Sequence, residues 1–398
     1  MGAVTMTPPK RVQPVVGRAL YERARRCFPG GSSRTTLWVA PHPPYALEGE
    51  GWLVRDVDGH ELIDLHGDYS ALVHGNAFAP VVAAACAAIE RGSAFGLPTA
   101  AEVELAECLA ARVEWAERWR FTGSGTEAVM AAVRAARAAT GRDKVVHFAD
   151  CYHGGWDALA QPDARGVPAG VRQDVVTLRL EDPRVLVDAL DEHEGQLACL
   201  LLDLMPNRAG LRPVDRSFAE LVREETSRRG IVLIVDEVIT FRMAHGGMQS
   251  LYGIDGDIVT LGKLIGGGLP VGALGGRGEW MDVFDPSRPD GVALAGTFAA
   301  NPVSMSAGLA ALGALDRDQI ERIGALGERL REGLERLGYS VSGAGSLCRL
   351  HTPELPQLWR RLYDEGVLVA ADGLVCVSTA MDEATIGRAL EVFERAAG

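Results

Sequence analysis

Ile231-Val232-Leu233-Ile234-Val235 is a short, wholly apolar and mostly β-branched run, and it stops on Asp236-Glu237-Val238. A strand without polar alternation is predicted to be buried on both faces, as in a parallel sheet. The carboxyl ends of such strands open onto the crevice where α/β sheets bind ligands, which makes Asp236 a candidate binding group. Its plainer role is to cap the next helix or turn.

Working outward, a second apolar run ends at Leu261 and leads into Gly262-Lys263-Leu264-Ile265-Gly266-Gly267-Gly268. An ordinary lysine, with a pKa near 10.4, is neutral in only about one molecule in 2,500 at pH 7. Using Lys263 as a nucleophile therefore needs a desolvated pocket or lasting conversion to an imine, the linkage an aldehyde cofactor makes. A surface lysine in a glycine-rich loop is the alternative. Upstream, Trp119-Arg120-Phe121 reads as a strand end, followed by Thr122-Gly123-Ser124-Gly125-Thr126-Glu127 and a helix through Ala128 to about Ala139. Small residues before a helix N-terminus let backbone N–H groups and the dipole meet a phosphate, with Ser124 and Thr126 as extra donors. The same residues are ordinary helix caps. The GxxxxGK[ST] and GxGxxG spacings are absent, which argues against a nucleoside triphosphate or a dinucleotide.

Strands at about 145–148, 198–202, 231–235 and 258–261 alternate with helices at about 80–91, 99–112, 124–139 and 216–229. That order predicts an α/β fold with a mainly parallel sheet and helices on both faces. Residues up to Pro9 read as a loose tail, and about 14–28 as an arginine-rich amphipathic helix. Residues 52–57 and 61–65 flank an Asp58-Gly59 turn as a hairpin. A long helical stretch from Asn301 leads to a second α+β region, with strands near 347–351 and 374–378 and helices at 356–365 and 382–396. The expected organisation is an N-terminal segment 1–66 packing with the small domain, a large domain 67–305 and a small C-terminal domain 306–398.

At 398 residues and 47% hydrophobic content, the chain can bury a large core. Its net charge of −13 argues against nucleic acid or an anionic membrane as partner. The longest apolar stretch, near 79–89, is too short to span a bilayer, and no charged-then-apolar leader opens the chain. Seven scattered cysteines without a CxxC point to a reducing, cytoplasmic setting, and nothing has metal-ligand spacing.

Five ordered motifs carry a resemblance: Gly123-Ser124-Gly125-Thr126-Glu127-Ala128, Cys151-Tyr152-His153-Gly154, Asp236-Glu237-Val238, the Lys263 loop with Pro270-Val271-Gly272-Ala273, and Gly296-Thr297-Phe298. From about Phe28 onward the chain resembles the class III aminotransferases of fold type I, in the branch of glutamate-1-semialdehyde aminomutases and β-amino acid aminotransferases. The resemblance implies pyridoxal 5'-phosphate, a large domain with a mainly parallel sheet, and a smaller α+β domain built from both terminal segments. It implies that Lys263 holds the cofactor and moves a proton, that Asp236 meets the pyridine nitrogen, and that Tyr152 and Val238 cover its two faces. Tyr152 is otherwise a core aromatic. Ser124, Gly125 and Thr126 would bind the phosphate, with His153 beside the cofactor. Thr297 would reach a neighbouring subunit's phosphate, implying a homodimer with shared sites. Arg34 would grip a substrate carboxylate.

The chain departs from the family's pattern in three places. Arg208, in Asp203-Leu204-Met205-Pro206-Asn207-Arg208, falls where relatives carry Asn or Glu, and is a substrate carboxylate clamp, a group that adjusts the cofactor's ring oxygen, or a surface charge. The stretch 155–171 looks shorter than the lid of the aminomutases. Asp372 stands where the two branches carry Arg or Glu, and would attract an amine. Arg242 is a weaker candidate that braces the fold, and Trp38, Tyr69 and Trp156 either line the substrate side or pack in the core. The expected function is amino transfer between a small-molecule amino acid donor, such as a β-amino acid, and a keto or aldehyde acceptor. Intramolecular transfer of the aminomutase kind is the first alternative, and racemisation the second.

Overall fold

The computed structural model describes residues 16–160 and 164–397, so the tail up to Pro9 and positions 14–15 of the first expected helix lie outside the described residues. The described chain divides into two compact units, residues 16–79 with 321–397 and residues 80–320.

The first unit opens with helix Val16–Ala24, which ends four residues before the expected Phe28. Strands β1 (Ala46–Glu50), β2 (Leu53–Asp56) and β3 (Glu61–Asp64) follow, and β2 and β3 form the antiparallel hairpin expected around Asp58-Gly59.

The second unit is built on a seven-stranded sheet. Its strands are β4 (Arg118–Thr122), β5 (Lys144–Phe148), β6 (Val175–Leu178), β7 (Leu197–Leu202), β8 (Val232–Asp236), β9 (Ile258–Gly262) and β10 (Gly272–Gly276), in the spatial order β4-β10-β9-β8-β7-β5-β6. From β9 to β6 all pairs are parallel; β10 runs antiparallel to both its neighbours. Every residue of β7, β8, β9 and β10 is buried.

One face of the sheet takes helix Gly125–Thr140, whose Ala131, Ala132, Ala135 and Ala136 pack with Cys199, Ile234, Ile258 and Leu274. Alanines allow the helix to lie close, and each buried Leu or Ile beneath adds about 1.5–3 kcal/mol. Phe148, an odd number of residues from Val145 on that face, points the other way and meets Phe218 of helix Arg216–Arg229 edge-on at 5.6 Å. The chain is thus α/β with helices on both faces of a mainly parallel sheet.

Among the elements not read from the sequence are β1, β6, β10 and helix Pro183–Glu192. The last carries an Asp182 cap and Pro183 in its first turn, a start signal that was available. Strand β10 is different, since three of its five residues are glycine. A Cβ on Gly272 would lie 2.0 Å from the Ser124 carbonyl oxygen, and one on Gly275 would lie 2.6 Å from the Trp119 indole. The glycines mark close neighbours rather than a weak strand.

The long helical stretch resolves into helices Pro302–Ala314 and Arg317–Arg336. The first unit is completed by β11 (Ser340–Ala344), β12 (Leu347–His351), β13 (Val367–Leu368), β14 (Leu374–Cys376) and helices Leu355–Asp364 and Glu383–Ala397. Strand β13 adds parallel to β3, and β11-β12-β14 form an antiparallel sheet. Among the described residues, no helix is long and apolar enough to cross a membrane.

Candidate active site

Asp236 is the last residue of β8 and stands opposite Thr260 of β9, so Lys263 leaves the neighbouring strand end three residues further on. The backbone tightens there. Gly262 is followed by Lys263 at φ 51°, the left-handed region, which costs an L-residue about 1–2 kcal/mol and turns the chain sharply at the sheet edge. Lys263 is half-buried. A Cβ on Gly262 would lie 3.4 Å from both Gly125 Cα and Val238 Cγ1, and one on Gly125 would lie 3.0 Å from Val238 Cγ2. Three turns, after β4, β8 and β9, therefore converge.

The turn after β4 is a braced helix start. Ser124 is the N-cap, its Oγ accepting from the Glu127 N–H at 3.3 Å, while Glu127 Oε2 accepts from the Gly123 N–H at 2.8 Å. Thr126 Oγ1 accepts from the Gly155 N–H at 3.2 Å, and Gly154 packs against the same side chain. Both hydroxyls keep a proton to donate, and the N–H groups of Gly125 and Thr126 have no backbone acceptor among the described residues.

His153 supplies what the sequence reading named without a geometric role. Its Nδ1 lies 2.7 Å from Asp236 Oδ2, and the two side chains are 0% and 5% exposed. The second Asp236 oxygen accepts from the Val238 N–H at 3.1 Å. His153 Nε2 is buried without a partner among the described residues. A buried carboxylate of this kind needs an adjacent positive charge or donor, and the imidazole Nδ1–H supplies one.

Asp203, the residue after β7, was read only as part of a substrate segment. It is buried, and burial, reinforced by the charge of Asp236, pushes its carboxyl up to about 7. Its signal was available: β7 runs from apolar residues straight into an acid, as β8 does. Glu237 is fully buried and pushed up to about 7, chiefly by burial. It accepts from the Thr240 hydroxyl at 2.6 Å and from the N–H groups of Gln249 and Met248 at 2.7 and 3.0 Å, so it braces segment 240–249. Arg242, in that segment, is 1% exposed.

Tyr152 is 44% exposed, which corrects the core-aromatic alternative. The guanidinium of Arg208 lies over its ring at 4.0 Å from the centroid, so Arg208 is more than a solvated surface charge. Trp156 is partly buried and packs against the core beneath helix Gly125–Thr140. Cys151 is buried, with its thiol pushed far up by burial. Thr297 is exposed and is grouped in a separate groove with Phe95, Leu97 and Trp119 rather than with the Lys263 turn.

The remaining candidates belong to the first unit. Arg34 Nη1 lies 2.7 Å from Asp68 Oδ1, both side chains about half exposed. Tyr69 donates its hydroxyl to the Thr36 carbonyl at 3.1 Å, and Trp38 is 48% exposed. Asp372 is not a bare acid: Arg349 Nη1 lies 3.3 Å from its Oδ2.

The donor set in the second unit suits a phosphorylated pyridine. A helix N-terminus with open N–H groups meets an anion, a carboxylate buried with an imidazole meets a ring N–H, and a lysine amine stands at the neighbouring strand end. The three converging glycine-lined turns leave no room there for larger side chains of the protein's own.

The comparisons agree with this chemistry. The aminotransferase class-III family model matches residues 38–396. A glutamate-1-semialdehyde 2,1-aminomutase of Akkermansia muciniphila is 40% identical over 358 residues, covering 84% of each chain. Among solved structures, an omega-transaminase from Sphaerobacter thermophilus superposes with TM-score 0.93 at 38% identity, covering 96% of this chain and 97% of that one. A transaminase with PLP bound has TM-score 0.93 at 40% identity and 96% coverage of both chains. A β-phenylalanine aminotransferase from Variovorax paradoxus has TM-score 0.88 at 31% identity, covering 95% and 93%. With a sheet, a lysine turn and a buried acid of this kind, the chain belongs to the class-III aminotransferases, enzymes of nitrogen-group transfer that work with pyridoxal 5'-phosphate.

Proposed function

We propose that the chain transfers an amino group between a carboxylated amine, of the β-amino acid kind, and a keto or aldehyde acceptor. The carrying observation is the buried Asp236–His153 pair at the strand end beside Lys263. Two transaminase structures at TM-score 0.93 and the β-phenylalanine enzyme support the reaction type and the substrate class.

When bound, the cofactor's protonated pyridine supplies a sink for the electron pair left on the substrate Cα. Asp236 holds that ring proton: a unit charge pair at about 4 Å is worth roughly 4 kcal/mol at an effective dielectric of 20. His153 Nδ1–H fixes the carboxylate's orientation from behind. Lys263 Nζ would hold the cofactor through its aldehyde and, when freed, would be the base that takes the proton from the substrate Cα. Gly125, Thr126 and Ser124 would hold the phosphate and Tyr152 and Val238 would cover the ring, while Arg34 is the candidate for the substrate carboxylate. Thr297, exposed and away from the Lys263 turn, completes the site of a second copy in a homodimer.

A second reading, intramolecular transfer, is supported by the aminomutase relative at 40% identity. The deciding experiment presents the pyridoxal form with single amino acids and follows conversion to the pyridoxamine form without an acceptor. Stoichiometric conversion with keto acid release supports transamination; ¹⁵N retained within one glutamate-1-semialdehyde skeleton supports the aminomutase instead.

A further inference from the structure

Gly67, Asp68, Tyr69 and Ser70 have φ of 51°, 44°, 55° and 72°, so the chain makes a turn of left-handed helix in which three of the four residues carry side chains. L-residues enter this region singly as a rule, and a run of them persists only where its surroundings enforce it. The enforcing bonds are present. Asp64 Oδ1 accepts from the His66 and Gly67 N–H groups at 3.0 and 2.9 Å, His66 Nδ1 accepts from the Tyr69 N–H at 3.3 Å, and the Tyr69 hydroxyl ties the turn to Thr36. The result is a fixed Asp68 against Arg34. Only Nη1 of that guanidinium is engaged; its Nε–H and Nη2–H donors have no acceptor among the described residues.

We propose that Asp68 is a specificity-determining residue: it cancels the charge of Arg34 while leaving the guanidinium's Nε/Nη2 edge open, so the pair accepts one carboxylate by geometry and rejects a second by charge. The proposal rests on Arg34 being the carboxylate-binding group. Asp372 adds to it, since its charge bears on Tyr69 and His66 together with those of Arg34 and Asp68, while it is itself matched by Arg349. Arg34 and Arg349 offset Asp68 and Asp372, and the buried Asp64 beside His66 adds a further negative charge. One incoming carboxylate finds a two-pronged donor edge. A second finds Asp68 or Asp372, with no unmatched cation in the cluster. The substrates selected are therefore monocarboxylates.

The test uses the cofactor-loaded full chain and two unreactive ligands on one scaffold, 3-phenylpropionate with one carboxylate and phenylsuccinate with two, titrated by calorimetry. The unaltered protein should prefer 3-phenylpropionate by about fivefold, the size of one screened unit-charge interaction near a surface. Asp68→Asn should close that gap by tightening phenylsuccinate, with 3-phenylpropionate changed less than about threefold, and Asp68→Glu should keep it. Asn enters the left-handed region readily, so the fold of the variant is preserved. An unchanged gap in Asp68→Asn, while Arg34→Ala weakens both ligands, overturns the role of Asp68 alone. If Arg34→Ala leaves both affinities unaltered, or the unaltered protein binds neither ligand, the carboxylate role of Arg34 falls and the proposal with it.

Discussion

The carboxyl end of strand β8 and the Gly67–Ser70 turn both present an aspartate to a partner, and they hold it by opposite means. Asp236 sits on an ordinary strand end, 5% exposed, and is kept in place by burial and by His153. Asp68 is about half exposed against Arg34 and is kept in place by backbone forced into an unfavourable region. In a dry site the electrostatics are strong and need little conformational help. In a wet site an ion pair is worth 1 kcal/mol or less, so orientation has to come from the chain itself.

Lys263→Ala should break the dry region most completely, with activity reduced by about 10⁴-fold or more and loss of the absorbance band of lysine-bound cofactor. Full activity in that variant would end the assignment. Asp236→Asn should retain cofactor but lower kcat by about 10³-fold, the equivalent of the charge pair it removes. A loss similar to that of a rim substitution would mean the carboxylate only caps.

In the same sheet, His147 is buried, and burial lowers it to about 4 from the ordinary 6.5. A depressed folded value makes its contribution complete above pH 6.5 and lost as pH falls through 6.5 toward 4, by about 3 kcal/mol at most. Thermal unfolding from pH 7 to 4 should show this slope, and His147→Gln should flatten it.

The smallest effect is expected at Arg208. Its position on an exposed Tyr152 predicts that Arg208→Ala weakens carboxylated and plain amines alike, by about threefold to fivefold. Selective loss of the carboxylated ones would make it a clamp instead.

These regions also differ in how far they can be read in advance. Buried parallel strands announce themselves, and β7, β8 and β9 fall within one residue of their expected bounds, with Asp236 and Lys263 at their ends. Strand β10 escaped because its glycines answer to Ser124 and Trp119, neighbours about 150 residues away in sequence. The His153–Asp236 bond joins residues 83 apart and has no local signature. The left-handed turn was missed for a related reason: Gly67 and Asp68 enter that region readily only as single residues, Tyr69 and Ser70 do not favour it, and the run exists through bonds from Asp64, His66 and Thr36.

Ser124, Glu127 and Gly123 satisfy one another at the start of helix Gly125–Thr140 before any anion arrives. The empty protein should therefore keep its shape when stripped by dialysis against a competing amine and regain full occupancy on resupply. The ligand then adds stability in proportion to the logarithm of its concentration, without being required for folding.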